Sequence, residues 1–189
     1  MDSLELLDRA ADGFATTLAS VPEGGWGTPA GLGAWTVRNL VDHVNGGDRM
    51  AAVILAGGSR EEGIAAFARS ADAVDPVAEF ERGRREQADA FGEPGALGRT
   101  VAHPAMDMPG SQLLGFRTAE YALHGWDLAC ALGADDRIDP AVVQSLWDLM
   151  SPMASFIGAT GMFGDGPSGT VPDDAPLQDR LLDLSGRRP

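Results

Sequence analysis

Two residues that could share a metal ion, Glu120 and His124, stand four apart in Arg117-Thr-Ala-Glu-Tyr-Ala-Leu-His-Gly-Trp-Asp-Leu-Ala-Cys130, with no proline between them. On a helix that spacing places one side chain a turn above the other on the same face. Leu113, Leu114, Phe116, Leu123, Leu128 and Leu132 make the segment apolar enough to lie inside a bundle, yet ionisable Arg117, Glu120 and His124 recur along one stripe of it. Burying a carboxylate or an imidazole unpaired is costly or forces a large pKa shift, so the stripe needs a compensating partner. A divalent metal is one such partner and calls for a further ligand elsewhere; an ion-pair network in a metal-free helical protein is another. Arg117 adds a permanent cation that could clamp the carboxylate of a small acidic substrate or pair with an acid on a neighbouring helix.

The chain has three histidines and one cysteine, so a metal site would be built from nitrogen and oxygen donors. His43 falls within a core-bearing helical stretch and is the preferred third ligand. His103, in a short extended piece before Pro104, is instead a candidate general base or fourth contact. Gly46 and Gly47 follow His43 by one turn, where each glycine costs up to about 1 kcal/mol relative to alanine. The pair reads either as room left beside the ligand for a cofactor or substrate to enter, or as a kink or close helix contact. Asp127, three residues after His124, is placed to orient its imidazole. Trp35 and Trp126 read as packing anchors, and Cys130, on another face, as a small buried hydrophobe.

These residues need elements to position them, and the hydrophobic periodicity predicts four long helices near 3–19, 36–56, 76–91 and 111–132. Ser3 is the expected N-cap of the first helix. Thr36 is that of the second, with Trp35 placed to staple its start. Asp75-Pro76 and Asp139-Pro140 each pair a cap with a proline at the first helical position, opening the third helix and a fifth that runs toward Pro152. Residues 57–74 read as a long loop with one short helix that could lie over the site. The charged run Glu79 to Glu86 reads as a solvated face. Arg99 to His103 reads as a short extended excursion, Gly158, Gly161, Gly164, Gly166 and Pro167 as a stretch too broken for regular structure, and 176–184 as a last helix. The expected architecture is all-α: an up-and-down four-helix bundle over 1–135, with a C-terminal helical extension over 136–189 packed on it.

With 44% hydrophobic residues in 189, the chain can bury one core. A net charge of −14 argues against a polyanionic partner, because nucleic-acid affinity rests on basic side chains neutralising phosphate. All 14 basic residues are arginine, which with abundant alanine and glycine suggests a GC-rich genome. No stretch has the apolar length of a membrane span, and acids stand at the N-terminus where a signal peptide would be basic. The expectation is a cytoplasmic monomer or homodimer with small-molecule partners and neither nucleic acid nor membrane among them.

Trp35-Thr-Val-Arg-Asn-Leu-Val-Asp-His43 and Glu120-Tyr-Ala-Leu-His-Gly-Trp-Asp127 resemble the two halves of the metal motif of the DinB-like superfamily. More closely they resemble the metal-binding domain of mycothiol-dependent maleylpyruvate isomerase and its actinobacterial relatives. The resemblance covers residues 3–135, and Leu177 to Arg187 is similar to the closing segment of a short actinobacterial subgroup. It implies a four-helix bundle holding a divalent metal, commonly zinc with nickel or iron as alternatives, through residues matching His43, Glu120 and His124. It further implies mycothiol as the thiol cofactor of a metal-dependent transferase or isomerase acting on a small electrophile. The isomerase's separate C-terminal domain has no evident counterpart in residues 136–189, so a non-catalytic, metal-stabilised helical module that binds a small ligand is the alternative.

Overall fold

Four helices of sixteen to twenty-three residues carry the first part of the chain: α1 (Ser3–Leu18), α2 (Val37–Leu55), α4 (Pro76–Gly92) and α5 (Gly110–Leu132). In this computed structural model, which describes residues 2–155, 157 and 166–189, they form an up-and-down four-helix bundle. A shorter helix, α3 (Arg60–Ala68), packs on α2, and a two-stranded hairpin of β1 (Thr100–Ala102) and β2 (Asp107–Pro109) precedes α5. The chain divides into two compact units, Met1–Arg137 and Ile138–Pro189, the second holding α6 (Pro140–Met150) and α7 (Leu177–Leu184). Gly158, Gly161 and Gly164 lie outside the described residues; Gly166 and Pro167 carry no regular structure.

The helix starts follow their capping chemistry. Thr36 Oγ1 accepts from the Asn39 amide while Asn39 Oδ1 accepts from the Thr36 amide, closing a reciprocal box at the head of α2. Asp75 Oδ1 accepts from the amides of Val77 and Ala78, and Asp139 Oδ1 from that of Ala141, each with proline next in sequence. The cap of α1 is Asp2 rather than Ser3. Its Oδ1 accepts from the Leu4 amide, and Ser3 becomes the first helical residue. The helix α5 ends at Gly133, where φ of +63° suits a residue without Cβ.

The core of the first unit is centred on three rings from three helices. Phe14 of α1 lies 5.0 Å from Phe80 of α4 and 6.2 Å from Tyr121 of α5, and all three are at most 1% exposed. Val37, Leu40, Val41, Val44, Ala51 and Ile54 line the inner face of α2. Burial of each such large side chain stabilises by about 1.5–3 kcal/mol, which is what holds α2 and α5 at a fixed separation. The charged run of α4 is not wholly solvated. Glu79 is 4% exposed and is gripped by Arg49 of α2 and Arg82 of its own helix, so its charge is compensated across the helix contact. Cys130, expected in the core, is exposed near the end of α5.

Candidate metal centre

His43 projects from the middle of α2, and Glu120 and His124 project one turn apart from α5, so the two core-packed helices face three donor side chains toward one another. The nearest donor atoms of the three residues all lie within 4.8 Å of one another. Glu120 Oε2 is 2.9 Å from His43 Nε2 and 3.5 Å from His124 Nε2, and the two imidazole rings are 5.2 Å apart, edge to face. His124 is further held through Nδ1, 2.9 Å from Oδ2 of Asp127, a carboxylate only 3% exposed.

The electrostatics follow from burial working against these contacts. Burial raises the Glu120 carboxyl, but hydrogen bonds from His124 and His43 outweigh it and hold the group well below the usual carboxylate range. Burial depresses His124, yet its contacts with Asp127 and Glu120 push it up to about 9. Two imidazoles and one anionic carboxylate converging from two helices constitute a nitrogen- and oxygen-donor set of the kind that holds zinc or another divalent ion.

Aromatic side chains flank this cluster. Trp35, the residue before the α2 cap, lies 5.0 Å from the His43 ring and 6.3 Å from that of His124. Phe67, near the end of α3, meets His43 edge-on at 5.4 Å, so residues 57–74 do bring a side chain to the site. Both rings are only half-buried. The sequence marks Phe67 only by a weak periodicity with Ile64, which suggests a short helix but not that the ring packs on Gly46 beside His43.

The space beside His43 is filled. A Cβ at Gly46 would stand 2.9 Å from both Cδ2 and the carbonyl oxygen of Phe67, and one at Gly47 would stand 2.0 Å from Nη1 of Arg117. The glycines therefore serve close packing rather than an opening for a cofactor or substrate. Arg117 is 3% exposed, not an open clamp for a substrate carboxylate. Its Nη2 donates to Asp48 Oδ1 at 2.8 Å and to the Val44 carbonyl at 3.1 Å, and its Nε donates to Gln87 Oε1 at 2.9 Å. Tyr121 donates its hydroxyl to Asp48 Oδ1 at 2.6 Å and accepts from Gln87 Nε2 at 2.7 Å, completing a buried network. Burial pushes the Asp48 carboxyl up to about 6 in spite of Arg117 and Tyr121. Asp48, Gln87 and Tyr121 were invisible as a set in the sequence, since they come from three helices.

His103 stands outside the ligand cluster, at the end of β1. Its ring packs edge-on against Phe116 at 6.2 Å, and Phe116 is one turn before Glu120 on α5. Its Nδ1 accepts from the Ala105 amide at 3.2 Å, which leaves the proton of the neutral ring on Nε2. Burial, and after it the positive charge of Arg117, lower its basicity, with Glu120 opposing them and Arg60 adding a smaller effect in the lowering sense.

Residues 7–129 match the model of the mycothiol maleylpyruvate isomerase N-terminal domain. An uncharacterized protein of Mycobacterium tuberculosis, found alike in strains CDC 1551 / Oshkosh and ATCC 25618 / H37Rv, is 31% identical over 195 residues, covering 99% of this chain and 98% of the relative. Among solved structures, the fold is similar to the mycothiol-dependent maleylpyruvate isomerase, with a TM-score of 0.64 and 19% identity over 82% of this chain and 71% of that one. A histidine-to-alanine variant of that isomerase matches with a TM-score of 0.63.

Proposed function

Because the chain belongs to the mycothiol maleylpyruvate isomerase N-terminal domain family, we propose that it binds a divalent metal through His43, Glu120 and His124 and acts with mycothiol as a transferase or isomerase on a small electrophile. The observation that carries this reading is the convergence of the three donor side chains, whose nearest donor atoms all lie within 4.8 Å of one another, from two facing helices. An imidazole–carboxylate–imidazole set with no fourth donor residue beside it, among the described residues, leaves positions for exogenous ligands.

A divalent metal held there supplies a Lewis acid able to keep a thiol in its thiolate form at neutral pH. The chain's own residues do the rest. Asp127 accepts a hydrogen bond from Nδ1–H of His124, which would leave Nε2, the nitrogen that faces Glu120, to hold the metal. Trp35 and Phe67 flank the imidazoles with apolar surface that limits water at the reacting groups. His103 offers its Nε2 proton on the Phe116 side of α5, where it can donate to a substrate oxygen.

Metal analysis of the purified protein, followed by a screen of small electrophiles with mycothiol before and after chelation, tests the proposal. Stoichiometric zinc, nickel or iron that is lost in His43→Ala and His124→Ala, together with chelator-sensitive turnover, is the expected result. Bound metal with no thiol-dependent turnover of any electrophile would favour the metal-stabilised module instead. Full metal content in both variants would overturn the site.

A further inference from the structure

The guanidinium of Arg117 is fixed on three sides. Its Nε hydrogen is used by Gln87 on α4, and Nη2 is used by Asp48 and by the Val44 carbonyl on α2. The planar fork leaves one direction free, and in that direction Nη1 lies 3.8 Å from Glu120 Oε2, the oxygen that also faces both imidazoles. Two features maintain this aim. The bare backbone at Gly47 lets Nη1 pass where any Cβ would collide with it. Tyr121 braces the other end of the frame, donating to Asp48 Oδ1 while its ring lies 5.3 Å below the guanidinium carbon.

Asp48 by itself would neutralise a buried arginine. The Gln87 contact adds nothing to that charge balance but fixes the rotation of the fork about its Nε, and it is that rotation which directs Nη1 to Glu120. We propose that Arg117 is a positioning residue for the metal centre: with Asp48, Gln87 and Tyr121 as its frame, it holds the Glu120 carboxylate in the orientation that presents it together with His43 and His124. This inference rests on the metal-binding reading above and adds a buried determinant of that site which touches no substrate.

The test is metal affinity and geometry, not turnover. The wild-type protein, Arg117→Met, Arg117→Lys and Gln87→Met are stripped with chelator and titrated with zinc in competition with a chromogenic chelator, and the visible absorption of each cobalt-loaded protein is recorded. Loss of a group that orients a ligand lowers metal affinity by about 10- to 100-fold. We expect a loss of that size in Arg117→Met together with a shifted cobalt band. Lysine, a point donor without the fork, should not restore either. Gln87→Met, which alters no ligand and no charge, should shift the band in the same sense, a change that lost stability alone would not produce. Wild-type affinity and an unshifted band in Arg117→Met would overturn the inference alone; should that variant fail to fold, the same result in Gln87→Met overturns it. Absence of metal binding by the wild type would overturn the metal reading, and this inference with it.

Discussion

Arg117 lies across Gly47 so closely that a Cβ added there would be 2.0 Å from its Nη1. The arginine is the far end of a long side chain, but it is held by three hydrogen bonds and is 3% exposed, so it has nowhere cheap to move. Gly47→Ala should therefore destabilise the protein by about 1–3 kcal/mol, as overpacking of a filled core does. In an Arg117→Met background the same substitution should cost much less, leaving a coupling of roughly 0.5–3 kcal/mol in a double-mutant cycle read by urea denaturation. Additive effects would show that the two residues do not compete for that space.

Asp127 reaches the candidate centre through His124 Nδ1. Asp127→Asn keeps its shape but weakens the acceptor, and should reduce zinc affinity by about 10- to 100-fold while leaving the four-helix bundle intact by circular dichroism. An unchanged dissociation constant would mean that the imidazole needs no such support.

Asp48 gives the fold a pH dependence whose sign can be stated. Burial raises its carboxyl to about 6, with Glu120 adding to the rise and Arg117 and Tyr121 opposing it. A folded-state pKa above the unfolded one contributes stability that is fully present below about pH 4 and is lost as pH rises through about 6. Asp48→Asn cannot titrate, although it leaves Arg117 without its closest counter-charge at every pH. The stability gap between the wild type and Asp48→Asn should therefore narrow between pH 4 and 6 in a series of denaturation curves. A gap that widens with pH would show that the ion pair with Arg117 outweighs the burial.

Trp35 provides an optical test of where metal binds. Its ring is 5.0 Å from that of His43 and 6.3 Å from that of His124. Cobalt or nickel added to the chelator-stripped protein should quench part of the tryptophan emission, and Trp35→Phe should remove most of that quenching. Equal fractional quenching in the variant would place the metal elsewhere.

The sequence by itself determined the main helices and pointed to the candidate donors. Helix starts were legible because caps are local: Thr36, Asp75-Pro76 and Asp139-Pro140 satisfy backbone hydrogen bonding within a few residues of themselves. Glu120 and His124 were legible as a pair because the helical repeat fixes neighbours four apart, and the flanking Trp-Thr-Val and His-Gly-Trp-Asp residues carried the family. At the first helix the expected cap was Ser3, and the aspartate before it takes that role instead.

Only the tertiary structure decided what faces what across helices. Nothing local to Arg117 says that Asp48 and Gln87, 69 and 30 residues away in the chain, take its hydrogen bonds. Gly46 and Gly47 read as room for a ligand or as a close helix contact, and Phe67 and Arg117, from two other helices, fill that space. Glu79 was indistinguishable from its solvated neighbours until Arg49 of α2 reached it, and Cys130 turned outward because the core stripe of α5 passes through Leu128 and Ala129 instead. Apolar spacing within an element marks the face it tends to bury, but which residues of another element meet that face is set only when the summed apolar contacts bring the two together.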